Sequence, residues 1–148
     1  MQKLRKGNDI VYVYKFPVFC RMERRIVLLA AFLGITAIIL GAFGAHALKK
    51  QLTPDQLISF EVGVRYQMYH ALFLLFVSLS GLARLAKRRI AYFTGIGVLL
   101  FSGSIYLLST YSITGLDISP VGFITPIGGV LLIIAWAILF IDFWRSKR

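Results

Sequence analysis

The residues with the most chemistry to offer lie in one run, Phe60-Glu-Val-Gly-Val-Arg-Tyr-Gln-Met-Tyr-His70. Glu61 and Arg65 are four apart with the acid first, the better order for an ion pair along one helix, worth about 0.2–0.5 kcal/mol in water. Tyr66, Gln67 and His70 follow at spacings of three and four on another face. His46 and the Ser102-Gly-Ser104 triplet add further polar groups. His46, Glu61, Arg65, Tyr66, Gln67, His70, Ser102 and Ser104 therefore form the candidate ligand-binding set. Their hydroxyl, amide and imidazole groups both donate and accept hydrogen bonds, and an imidazole can also relay a proton.

The same residues exclude more chemistry than they support. His46 and His70 are the only histidines and Cys20 the only cysteine. No multi-cysteine or His/Cys set with metal-ligand spacing exists, so no metal is expected. Counted along their helices, the two imidazoles differ by roughly 9 Å in depth, which is poor for facing haem ligands. GxSxG, HExxH, GxxxxGK[ST] and GxGxxG are all absent, so no catalytic residue and no cofactor is assigned. The serines near His70 serve helix packing as well as they would serve a hydrolase. Asp142 is expected to pair with Arg145, three residues on.

The elements that must position this set are four long apolar stretches. Ile26–Leu48, Tyr66–Ala83, Ile90–Leu116 and Ile118–Ile141 carry no formal charge at neutral pH. Each meets the roughly 17–25 residues that a spanning helix needs. The expected fold is an all-α integral membrane bundle of four transmembrane helices, about 26–48, 64–85, 90–111 and 124–144, running up and down. Mean hydropathy of +0.77 and 58% hydrophobic residues agree. The net charge of +11 is unevenly spread. Of 17 basic residues, all but Lys49, Lys50 and Arg65 fall before the first span, between the second and third, or after the fourth. Short cytoplasmic loops retain Lys and Arg, so both termini are expected in the cytoplasm. The basic rims face anionic lipid head groups. No groove-reading element accompanies the charge, and nucleic acid is excluded as a partner.

Local signals fill in the bundle. Residues 1–21 form a basic extension, read as disordered or as lying upstream of a natural start at Met22. Gly34, Ala37, Gly41 and Ala45 place small residues along one face of span one, suited to close helix packing or to a homo-oligomer contact. Thr53-Pro54 reads as a helix start, with Thr as N-cap and Asp55 in the first turn. That helix is expected to reach about Leu85. Thr125-Pro126 reads as a second N-cap and start. Counting at 1.5 Å per residue from Arg84 and Arg89 puts His70, Ser102 and Ser104 at nearly one depth, about 20–22 Å from the cytoplasmic boundary. A hydrogen-bonded cluster of Tyr66, Gln67, His70, Ser102 and Ser104 is the expected arrangement, since polar groups in lipid need partners.

GAFGAHALKK, FEVGVRYQMYHALFLL, FSGSIYLLS and ITPIGGVLLIIAW together resemble the small bacterial membrane proteins grouped as domain of unknown function 423, the YgdD-like proteins, and more distantly eukaryotic transmembrane protein 256. The resemblance runs from about Met22 into the last span. It implies four spanning helices in a bacterial inner membrane and brings no activity or catalytic residue. The residues themselves favour a non-enzymatic accessory or small-ligand/lipid-binding bundle with membrane lipids as partners. The alternative is a permeation component for a small solute, ion or proton.

Overall fold

A computed structural model describes residues 2–6, 9–13, 21–115 and 122–146. Four helices dominate: α1 (Arg21–His46), α2 (Pro54–Leu79), α3 (Arg84–Thr114) and α4 (Ile124–Ser146). All four are long and apolar enough to cross a membrane, as the sequence predicts. A 3-10 turn, Leu48–Lys50, joins α1 to α2. In the basic extension, β1 (Gln2–Lys6) and β2 (Asp9–Val13) pair antiparallel, with Gln2 opposite Val13 and Lys6 opposite Asp9. Ile10, Val11, Tyr12 and Val13 are strand formers, and Gly7-Asn8 between the strands is a hairpin-turn dipeptide in sequence.

The α2 start follows the reading closely. Thr53 accepts from the Gln56 backbone N–H at 3.3 Å, and the Gln56 side chain accepts from the Thr53 N–H at 3.0 Å, a complete capping box. The Gln56 amide also donates to Ser112 at 3.2 Å, tying this start to the far end of α3.

The end of α2 differs. The helix stops at Leu79 rather than near Leu85, because Ser80 turns extended and its hydroxyl bonds back to the Val77 carbonyl at 2.7 Å. The next helix then starts at Arg84, so Lys87, Arg88 and Arg89 lie on α3 instead of in a loop. Thr125 is not a cap either. It sits within the first turn of α4, and its hydroxyl is engaged elsewhere.

Consecutive helices pack against each other, α1 meets α3 only weakly, and the α1 and α4 backbones do not pack together. The small-residue face of α1 is used inside the bundle. Added methyl groups at Gly34, Gly41 and Gly44 would sit 3.9, 3.4 and 3.2 Å from Ala71, Val64 and Phe60 of α2. Ala37 is buried and Ala45 exposed. The α3–α4 seam is tighter. A methyl on Gly97 would lie 2.6 Å from the Leu132 side chain, and one on Gly128 would collide with the Phe101 backbone. Such approach between backbones is how helices associate where no hydrophobic effect separates them from lipid. Phe32, Ile35, Ile39, Leu99, Ile133 and Phe140 point outward, as expected of faces solvated by hydrocarbon.

Candidate functional site

Gln67 is the centre of the polar run. It is buried, and its amide nitrogen donates to the Leu33 carbonyl at 2.9 Å and to the Thr36 hydroxyl at 2.7 Å, both on α1. The Tyr106 hydroxyl of α3 donates to its oxygen at 2.9 Å. One amide thus joins three helices, and each of its polar atoms has a partner. Tyr106 also packs against Phe60 with the rings tilted, centroids 4.9 Å apart, and lies over Gly63, where an added methyl would come within 2.8 Å of the ring. The close approach at Gly63 is what lets Tyr106 reach Gln67.

The other expected members do not join this knot. The His70 Nδ1 lies 2.8 Å from the Tyr66 carbonyl on its own helix. A carbonyl only accepts, so Nδ1 carries the proton. The His70 Nε2 is buried with no partner among the described residues, and so is the Ser102 hydroxyl. Ser104 turns toward α4 and bonds the Thr125 hydroxyl at 2.6 Å. Tyr66 is exposed and packs on Phe101, ring centroids 4.8 Å apart. The expected single cluster of Tyr66, Gln67, His70, Ser102 and Ser104 is therefore split. Side-chain direction explains why: the His70 ring is held by the Tyr66 carbonyl of its own helix, and the Ser104 hydroxyl is taken by Thr125 of α4.

Glu61 and Arg65 are both exposed and do not pair, and His46 is exposed at the end of α1. Asp142 and Arg145 do not pair either. Surface pairs of this kind are worth only a few tenths of a kcal/mol, too little to hold two side chains in place. No group of three potential metal ligands occurs among the described residues.

Two features escaped the sequence reading. The first is a buried ion pair at the basic end. Lys87 Nζ donates to Glu23 at 3.0 Å and to the Ser78 carbonyl at 2.9 Å, with the Lys87 side chain 6% exposed. Glu23 and Lys87 are 64 residues apart, so no local spacing announces them. The second is a pair of cavities at the opposite end, flanking α3 where α4 begins. One, about 330 Å³, is lined by the polar residues Asp55, Gln56, Ser59, Ser109 and Thr125 together with Ile105 and Leu108. The other, about 450 Å³, is almost wholly apolar and is lined by Leu99, Leu100, Gly103, Leu107, Ile124, the candidate residue Ser104 and Tyr106, which also belongs to the Gln67 knot. The Ser104–Thr125 hydrogen bond joins a residue of each. Ser109 lines the first of these cavities, and its hydroxyl is buried and unpartnered among the described residues.

Comparison with known proteins places this architecture. The family described as "Protein of unknown function (DUF423)" matches residues 40–129. A UPF0382 membrane protein of Staphylococcus saprophyticus is 39% identical over 120 residues, covering 80% of this chain and 96% of its own length. The UPF0382 membrane protein YwdK of Bacillus subtilis is 40% identical, covering 78% of this chain and 92% of its own. The UPF0382 inner membrane protein YgdD of Escherichia coli is 35% identical, covering 85% and 94%. No solved structure matches. The chain belongs to the DUF423 family and is a multi-pass protein of the bacterial cytoplasmic membrane.

Proposed function

We propose that this protein binds a small amphipathic molecule in the half of the bundle opposite its basic end, without carrying out chemistry on it. The observation that carries the reading is the pair of cavities around the Ser104–Thr125 contact, one with polar groups set in an apolar wall and one almost wholly apolar. Their volumes lie in the range of ligand sites, roughly 300–1,000 Å³. The apolar cavity suits an alkyl chain, and the polar one offers hydroxyls and an amide to a head group. Asp55 is the charged residue lining it, which favours an uncharged or cationic head over an anionic one. With both termini in the cytoplasm, as the basic residues favour, these cavities face the outer leaflet. A phosphatase fused after Gly122 should then be active outside, and a fluorescent reporter fused after Arg148 should fluoresce inside.

Gly103 gives the direct test. An added methyl there meets nothing within 4 Å, so a larger side chain fills the apolar cavity without disturbing the fold. Gly103→Leu should lower binding of a dansyl-labelled alkylamine by about tenfold or more, roughly the effect of a few lost methylene contacts. Unchanged binding would end this reading.

Permeation is the second reading, and Lys87, Ser78 and Thr94 support it. All three are buried in the half of the bundle near the basic end. Proton leak into liposomes holding the purified protein, lost in Lys87→Met, would favour it over binding.

A further inference from the structure

The basic end carries a third cavity, between α1 and α3, about 390 Å³ in volume. Arg25, Ile26 and Leu29 line it from α1, and Arg88, Ala91 and Tyr92 from α3. The two helices present matching sets, because Arg25 is the fifth residue of α1 and Arg88 the fifth of α3. Each places an arginine at the rim and an apolar or aromatic side chain one turn deeper, Leu29 and Tyr92 respectively.

The charges there are unbalanced. Neither Arg25 nor Arg88 makes an ion pair or hydrogen bond among the described residues. Lys87 takes up Glu23 on its own account. Both helices also begin at this end, adding the partial positive charge of their N-termini. Two guanidinium groups beside one cavity repel each other until an anion sits between them. A phosphate suits them geometrically, since a guanidinium fork bonds its oxygens in pairs.

The floor selects among phosphates. Ile26 is buried, and Leu29 packs where an added methyl on Gly95 would lie 3.4 Å from it. Tyr92 is 67% exposed, an amphipathic ring of the kind that sits at a membrane interface. A soluble anion gains nothing from this apolar surface, whereas an acyl chain lies along it.

We infer that the α1–α3 groove at the basic end is a specific site for one anionic phospholipid, its phosphate held between Arg25 and Arg88 and the start of an acyl chain laid over Leu29. This site is separate from the amphiphile cavities at the other end and does not depend on them.

The test is native mass spectrometry of the full chain in mild detergent, titrated with phosphatidylglycerol. The Arg25→Gln/Arg88→Gln double variant should bind the lipid about tenfold or more weakly, as expected for two charges facing an anionic head group. The control Arg24→Gln/Arg89→Gln removes equal charge from the same end outside the groove and should lose less than about threefold. Ala91→Trp keeps both arginines but fills the groove, and should also lose the lipid. Phosphatidylcholine should bind weakly throughout, and glycerol 3-phosphate should not displace bound lipid. Equal losses in the two double variants, retained binding in Ala91→Trp, or displacement by glycerol 3-phosphate would each overturn the inference.

Discussion

The Gln67 knot and the Lys87 knot solve one problem in opposite ways. Both hold polar side chains inside a bundle whose surroundings offer no water. Gln67 is neutral, lies within α2, and finds all its partners on two other helices. Lys87 is charged and lies in the first turn of α3, and its partner Glu23 is still 28% exposed. The difference follows from cost. A neutral amide with every atom bonded is tolerated deep in hydrocarbon, whereas a charge at the centre of a span costs about 2.5–3.5 kcal/mol or more. The charged knot is therefore set at the membrane edge, where one partner keeps contact with water. The lesson is that depth and charge are matched in this molecule.

Substitutions at each knot sharpen the comparison. The largest effect is expected from Glu23→Gln, which leaves Lys87 buried without a counter-charge. Removing one partner of a fully buried pair costs about 3–5 kcal/mol, and the exposure of Glu23 reduces the expected loss to about 2–3 kcal/mol. Urea or detergent unfolding in bicelles would measure it. A loss below the Gln67 variant would show that the charged knot is no more demanding than the neutral one. Gln67→Leu should come second, at about 1–3 kcal/mol, because the half-buried Tyr106 hydroxyl and the Leu33 carbonyl lose their partner across the helices. His70→Leu should come last, below about 0.6 kcal/mol, the average for an interhelical bond. Its one hydrogen bond is to its own helix, and its Nε2 has no partner to lose. A His70 effect as large as that of Gln67 would mean that His70 ties helices together after all.

The sequence made the elements legible and the contacts between them much less so. Four uncharged stretches announce four spans because the membrane sets their length, and Thr53-Pro54 announces a helix start because that geometry is local. Gln67 stood out as a buried polar residue, but its partners Thr36 and Tyr106 lie 31 and 39 residues away. Nothing in the local spacing selects them over other hydroxyls. The end of α2 was misplaced because Ser80-Gly81 breaks the helix through a hydroxyl bonded to its own backbone, a weak signal within a continuous apolar run. Side-chain direction was equally hidden: His70 bonds its own helix, and Ser104 pairs with Thr125, a residue first read as a cap. The candidate set thus splits into a structural knot at Gln67 and a wall of the apolar cavity at Ser104.

The central claim is that ligand binding lies beside the Gln67 knot, at the cavities around Ser104 and Thr125, and is not a property of the knot itself. Photolabelling with a diazirine-bearing alkylamine, followed by peptide mass spectrometry, tests this most directly. The account predicts saturable labelling within residues 99–109 and at the start of α4, abolished by Gly103→Leu and retained in Tyr106→Phe. Labelling spread over the exposed faces of α1 and α4, and unaffected by Gly103→Leu, would contradict it.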